Sequence, residues 1–139
     1  MTNRQMSEIV FRQKPLTMSP DATVKAACER MHERRVGAVL VVDTNSTLVG
    51  IFTGRDAVRC LAQVSHPAEA RLEQIMTRDP DTMPPRATAI EALRLMRDGG
   101  FRHVPVVDQG KVVGIVSSGD FRGLEKDRLD EETGLWERI

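Results

Sequence analysis

A chain of 139 residues suits one compact domain or two small halves that share a core, because neither half alone would bury much surface. Its 20 basic and 20 acidic residues are interspersed and cancel to zero formal charge, with no basic stripe to capture nucleic acid. Four Phe, one Trp and no Tyr also make a poor stacking platform for bases, so a nucleic-acid partner is not expected.

Met1 to Gln13 is a polar lead-in with one apolar knot, Ile9, Val10 and Phe11, which reads as a short helix or turn packed against the body of the protein. It lacks the apolar run of a signal peptide, and no stretch of the chain approaches a membrane span, so a soluble cytoplasmic protein is expected. Pro15 to Met18 reads as a short extended segment. Ser19-Pro-Asp-Ala-Thr23 then supplies a turn and a Thr N-cap for a helix whose Val24, Ala27, Cys28 and Met31 form a core-facing stripe. Arg34 and Arg35 end that helix. A strand pair, Val39 to Val42 and Leu48 to Phe52, comes next, and a second helix from Gly54 to about Val64 carries Ala57, Val58 and Leu61. Cys28 and Cys60 show neither C-x-x-C spacing nor a histidine at ligand spacing, so reduced, partly buried thiols are expected rather than a disulfide or metal site.

His66-Pro67 marks a linker, Ala68 to Met76 a short helix, and Thr77 to Pro80 its stop. From there the chain repeats itself. Thr82-Met83 answers Thr17-Met18, Ala87-Thr88 answers Ala22-Thr23, Val106-Val-Asp108 answers Val41-Val-Asp43 and Val113-Gly-Ile115 answers Val49-Gly-Ile51, with about fifteen of some forty aligned positions identical. The single-residue difference between the copies falls in the hairpin turn, where an indel costs least. In the second copy Thr88-Ala-Ile-Glu91 predicts a capping box and Gly99-Gly100 a helix stop. Val104 to Val107 and Val112 to Val116 form a hairpin around Asp108-Gln-Gly-Lys111, and a further helix runs on from Phe121. The tail reads as a solvated charged face, or as Leu135 and Trp136 packing on a partner or closing a site.

A β-α-β-β-α unit written twice, each copy with P-x-A-T before its first helix, V-V-D at its hairpin and G-h-h-[ST]-x-x-D at its exit, resembles the tandem CBS-domain pair, or Bateman module. The likeness runs from about Pro15 to Leu124. It implies an α+β fold of two tandem repeats related by pseudo-twofold symmetry, with small mixed sheets packed against helices. The expected divisions are a lead-in over 1–14, a first repeat over 15–64, a linker and short helix over 65–76, a second repeat over 77–124 and a helical tail over 125–139. Modules of this kind commonly pair into a flat four-repeat disc, so a homodimer is expected.

The exit motifs Thr53-x-x-Asp56 and Ser117-x-x-Asp120 have two readings. Each follows a strand and opens a helix, so each can be simply a cap. The same geometry lets a carboxylate accept both ribose hydroxyls while the hydroxyl and free N–H groups face a phosphate, which is what the resemblance implies. Gly50 and Gly114 upstream either allow a close backbone approach or relieve sheet packing. By resemblance, one cleft joins Thr82, Ala87, Phe101, Arg102, His103 and the adjoining Pro105 to Thr53, Arg55 and Asp56. The other joins Thr17, Ala22, Val36, Gly37 and Ala38 to Ser117 and Asp120. Arg55, Arg102 and His103 would give the Asp56 cleft the phosphorylated end of a nucleotide, leaving the Asp120 cleft weaker, less charged in its ligand or empty.

The function these expectations support is a non-catalytic regulatory module, with no effector domain attached, that binds AMP, ADP, ATP or a relative between its repeats and signals to an effector protein through a conformational change. No covalent or metal cofactor is expected. The alternative is a ligand-free dimerisation scaffold, whose melting temperature would ignore nucleotide. Scattered His32, His66 and His103, and the lack of G-x-S-x-G, G-K-[ST] or paired metal-ligand motifs, disfavour an enzyme.

Overall fold

The computed structural model describes residues 3–121. In chain order these form helix α1 (Met6–Ile9), strand β1 (Thr17–Met18), α2 (Val24–Arg34), β2 (Ala38–Val42), β3 (Leu48–Thr53), α3 (Gly54–Gln63), α4 (Leu72–Ile75), β4 (Thr77–Arg78), α5 (Ala89–Gly99), β5 (His103–Asp108) and β6 (Lys111–Ser117), with 3-10 turns at Pro67–Glu69 and Ser118–Asp120. None of the described helices is long and apolar enough to cross a membrane. The expected helix after Phe121, and the tail with Leu135 and Trp136, lie outside the described residues.

Contacts divide the chain into two units that are interleaved in sequence. One holds the first copy, Lys14–Pro80 together with Gln109–Val112. The other holds, among the described residues, the second copy over Asp81–Asp108 and 113–121, together with the N-terminal arm up to Gln13.

In the first-copy unit the sheet order is β1-β2-β3-β4. β1 runs parallel to β2 with Thr17 opposite Leu40, β2 and β3 are antiparallel with Ala38 opposite Thr53, and β4 lies antiparallel to β3 with Gly50 opposite Arg78. Helix α2 starts where the Thr23 hydroxyl accepts the Ala26 N–H at 3.1 Å and ends at Arg35, in the left-handed region with φ 55°. Its buried stripe is Val24, Ala27 and Met31, with Cys28 only partly covered. These side chains pack on Leu16, Val39, Val41, Phe52, Cys60 and Leu72, a core of mostly aliphatic groups closed by one aromatic ring. The turn between β2 and β3 is held by Asp43, whose carboxylate accepts the N–H groups of Asn45 at 2.8 Å and Thr47 at 3.0 Å.

In the second-copy unit α5 carries the predicted capping box: Glu91 N–H donates to the Thr88 hydroxyl at 3.3 Å, and Thr88 N–H to the Glu91 carboxylate at 3.2 Å. The helix stops at Gly100 with φ 72°, a conformation costly for any side chain bearing a Cβ. β5 and β6 pair through a two-residue turn at Gln109 and Gly110, whose φ values of 51° and 79° are the positive pair a tight hairpin requires. Met83 bridges in parallel to Val106, as β1 does to β2 in the other unit.

The N-terminal arm is an integral part of this second unit. Met6 is fully buried with Val104, Val106 and Val116, and Val10 joins the same core. Met6 N–H donates to the Ala87 carbonyl at 2.7 Å, Ser7 N–H to Pro85 at 2.8 Å, and Ala89 N–H to the Arg4 carbonyl at 2.7 Å. The Gln13 side chain brackets Ile115, accepting its N–H at 2.6 Å and donating to its carbonyl at 2.9 Å. Helix α4 repeats the pattern in the first unit: Leu72 N–H donates to Ala22 at 2.9 Å, Glu73 N–H to Pro20 at 2.9 Å, and Val24 N–H to Ala70 at 2.8 Å. The duplication therefore extends back to a four-residue helix in front of each copy, and each of these helices completes the opposite copy.

Three local expectations change. The apolar knot of the arm points outward at Phe11, which is 72% exposed beneath the Arg12 guanidinium, while Met6 and Val10 supply the buried face. The helix expected over Ala68 to Met76 breaks into a 3-10 turn and α4, because Arg71 is drawn into an extended bridge with Thr23. Thr77 and Arg78, read as a helix stop, form edge strand β4. Two exposed polar residues carry no alternating pattern from which a strand could be recognised.

Candidate functional site

Each exit motif sits where the second strand of a hairpin ends. Asp56 is buried, and its Oδ2 accepts the Thr53 N–H at 3.0 Å and lies 3.4 Å from the Thr53 hydroxyl. Its Oδ1 is taken by the Arg59 guanidinium at 3.2 Å, and the same guanidinium donates to the Ile75 carbonyl at 2.7 Å, joining α3 to α4. Asp120 repeats only the first half of this arrangement. Its Oδ2 accepts the Ser117 N–H at 2.7 Å and lies 3.3 Å from the Ser117 hydroxyl, but the carboxyl group is exposed and no guanidinium is bonded to it among the described residues. The two carboxylates are thus alike in backbone setting and unlike in availability.

In the first-copy unit the strand pairing sets Ala38 opposite Thr53, and the Gly54 N–H donates to the Gly37 carbonyl at 3.2 Å. Val36, Gly37 and Ala38 therefore flank the Thr53–Asp56 turn of their own copy. Val36 is exposed, Ala38 is buried, and Arg55 is exposed in the first turn of α3. Thr17 is exposed at the head of β1, while Ala22 is partly covered and its carbonyl is held by Leu72.

In the second-copy unit Ser118 N–H donates to the Arg102 carbonyl at 3.0 Å, and the Arg102 guanidinium reaches the Ser118 hydroxyl at 3.4 Å. His103, half-buried at the start of β5, is held below its ordinary pKa by burial first and by neighbouring Arg102 second, with Asp120 opposing. Within their own unit Arg102 and His103 border the Asp120 turn. That turn, expected to lack cations, also receives Arg4, whose guanidinium donates to the Asp120 carbonyl at 2.9 Å. Phe101 is partly buried against the second core. Pro105 is fully buried, its carbonyl accepting from Met83 at 3.0 Å. Thr82 and Ala87 line a cavity of about 610 Å³ with Met83, Pro84, Arg86 and the α5 residues Glu91, Leu95 and Asp98.

The two readings of Gly50 and Gly114 resolve toward packing. A Cβ on Gly50 would lie 2.5 Å from the Met76 sulfur and 3.0 Å from the Thr77 carbonyl; one on Gly114 would lie 2.5 Å from the Val10 Cβ. Sequence reasoning missed Arg4, which owes its position to the docked arm, and Arg59, although its i,i+3 spacing from Asp56 within α3 is a local signal.

The state of His103 gives an expectation for pH. Because its folded pKa is depressed, the native state resists protonation, so the stability His103 contributes is complete above its ordinary value of 6.5 and is lost as pH falls from there through the lower folded value. His103→Gln should flatten the stability profile below pH 6.5, measured by urea denaturation at several pH values; an unchanged acid limb would place the sensitivity elsewhere.

Known proteins resemble this chain in sequence and in fold. The family model for the CBS domain matches twice, over residues 6–63 and 72–126. A CBS domain-containing protein of Arabidopsis thaliana, CBSCBSPB2, is 42% identical over 104 residues, which are 74% of this chain but 19% of that protein, so the chain spans about a fifth of the length of this relative. A 17.7 kDa uncharacterised protein of Acidianus ambivalens is 33% identical over 121 residues, 86% of this chain and 71% of that protein. Among solved structures, the CBS-domain containing protein ATU1752 of Agrobacterium tumefaciens superposes with a TM-score of 0.79 at 30% identity, covering 90% of this chain and 99% of that one. The CBS domain pair of protein MJ0100, solved with 5′-methylthioadenosine and S-adenosyl-L-methionine, superposes with a TM-score of 0.77 at 27% identity, covering 94% and 98%. With both copies matched in order, the chain belongs to the CBS domain family as a tandem pair.

Proposed function

We propose that this protein is a non-catalytic regulatory module that binds an adenosine nucleotide, AMP, ADP, ATP or a relative, through its exit turns and passes the signal to an effector protein by a change of conformation. The observation that carries this reading is the repeated pair of carboxylates, Asp56 and Asp120, each fixed to the N–H of the last strand residue at 3.0 and 2.7 Å. A carboxylate held in that way is already oriented and can accept two vicinal hydroxyls of a ribose without first being ordered. The adenosine compounds bound by protein MJ0100 support the ligand class.

The module acts in the cytoplasm as a homodimer of four repeats. Val58 and Leu61 favour self-association: one turn apart on α3, they are 68% and 72% exposed, an apolar pair with no partner in its own unit among the described residues. The rival reading, a ligand-free scaffold, gains some support at Asp56, whose pairing with Arg59 is what a purely structural cap would show.

A thermal-shift series with AMP, ADP, ATP and S-adenosylmethionine tests the proposal. At a ligand concentration one hundred times Kd, binding adds about 2.7 kcal/mol and raises Tm by roughly 8 °C for a chain of this size. The Asp56→Ala/Asp120→Ala double variant should lose that shift. A wild-type Tm indifferent to every adenosine compound would leave the scaffold reading standing.

A further inference from the structure

The carboxylates of the two exit turns differ in what already occupies them. At Asp56 both oxygens are engaged, Oδ2 by the Thr53 N–H at 3.0 Å and Oδ1 by the Arg59 Nη2 at 3.2 Å, and the residue is 6% exposed. At Asp120 only Oδ2 is engaged among the described residues, by Ser117, and the residue is exposed. The contrast is written in the sequence. The offset that carries Thr53 to Ser117 and Asp56 to Asp120 carries Arg59 to Gly123, which has no side chain with which to reach a carboxylate. Arg59 also reaches further than a cap requires: the same Nη2 donates to the Ile75 carbonyl at 2.7 Å, at the end of α4.

We infer that Arg59 is a latch on the Asp56 turn: a ribose takes the Asp56 carboxylate only when the guanidinium leaves it, and that departure also frees the Ile75 carbonyl and loosens the end of α4. This rests on the nucleotide reading above and adds to it a regulating residue and a responding segment. A carboxylate that accepts both hydroxyls of a ribose needs an open acceptor position on each oxygen, and at Oδ1 the guanidinium stands in that place. The latch can open because the Arg59 side chain is 48% exposed, so its charge passes into water at little cost. Both of its bonds come from one nitrogen, so a swing of the guanidinium gives up both. The start of α4 keeps its own attachments, Leu72 N–H to the Ala22 carbonyl and Glu73 N–H to that of Pro20, each at 2.9 Å, which confines the loosening to residues 75–78. The Asp120 turn needs no such opening and fills at lower ligand concentration.

Calorimetry with adenosine on the full chain tests the inference in an Asp120→Ala background, where Asp56 is the exit-turn carboxylate that remains. Arg59, Arg59→Lys and Arg59→Met are compared, and hydrogen exchange of residues 72–78 is followed in parallel. Arg59→Met should tighten adenosine about tenfold, and Arg59→Lys by less, because the binding-competent turn no longer has to be unlatched. The dideoxy form of adenosine, which lacks the vicinal hydroxyls, should gain nothing. Adenosine should speed exchange at residues 75–78 while Arg59 is present, and should leave it unchanged in Arg59→Met, where it is fast from the start. If adenosine binds the wild type, but its affinity in the Asp120→Ala background stays within about twofold, falls or is absent when Arg59 is replaced, Arg59 is a fixed part of the cap and the latch alone is overturned. If adenosine binds neither the wild type nor any variant, the nucleotide reading falls and takes the latch with it.

Discussion

Gly114→Val is expected to destabilise the protein by about 3 kcal/mol, with the damage concentrated in the unit that contains the N-terminal arm. A Cβ at this position would come within 2.5 Å of the Val10 Cβ, 2.7 Å of its Cγ1 and 2.8 Å of the Gln13 Oε1. The Val10 Cβ cannot rotate away, because it is bonded directly to the backbone, so relief requires α1 to move. Such a movement pulls Gln13 off Ile115, whose N–H and carbonyl it bonds at 2.6 and 2.9 Å, and withdraws Met6 from the core. Urea denaturation with hydrogen exchange across residues 3–13 measures both effects. Gly54→Ala, where an added Cβ meets nothing within 4 Å, serves as the control and should be neutral or slightly stabilising through helix propensity. A loss below about 1 kcal/mol for Gly114→Val would mean that the arm adapts freely.

The second large effect separates the two carboxylates. Asp56→Ala should cost about 2 kcal/mol in the unliganded protein, and Asp120→Ala less than about 1. Asp56 is 6% exposed and joins the Thr53 N–H to Arg59, which in turn holds the Ile75 carbonyl, so its removal loosens both the start of α3 and the attachment of α4. Arg59 is itself 48% exposed, so its charge is left in water rather than stranded, which keeps the cost below that of a fully buried pair. The Asp120 side chain is exposed and, among the described residues, its carboxylate is bonded only to Ser117 of its own turn, while the carbonyl that Arg4 reaches is kept in the alanine variant, so the loss stays local. Equal costs at the two positions would remove the asymmetry on which this contrast rests.

Much of the fold was legible because it is written locally and written twice. Thr23 and Thr88 announce α2 and α5 by their hydroxyls, Gly100 ends α5 at positive φ, and Gln109-Gly110 sets the tight hairpin. The apolar strands β2 and β5 follow from their Val-rich runs. What stayed hidden depends on long-range docking. Met6 and Leu72 begin short helices of ordinary polar composition, and nothing within four residues says which core receives them. Part of the site follows suit: Asp56 and Asp120 stand out by motif and Arg59 sits one helical turn from Asp56, whereas the Arg59 bond to Ile75 and the place of Arg4 appear only once α4 and the arm are docked. Arg102 and His103 stand out in the sequence as adjacent basic side chains, and within their own unit they neighbour the Asp120 turn.

The exchange of leading helices bears on how the chain matures as it leaves the ribosome. The stretch Lys14–Pro80 carries nearly all of the first-copy unit and is complete in order, with α4 arriving last to close the core around Leu72, so it can gain structure while synthesis continues. The arm cannot, because the side chains that bury Met6 are Val104, Val106 and Val116, translated about a hundred residues later. Nascent protein should therefore pass through a stage with one half folded and an apolar N-terminus waiting, the interval in which a chaperone has most to protect.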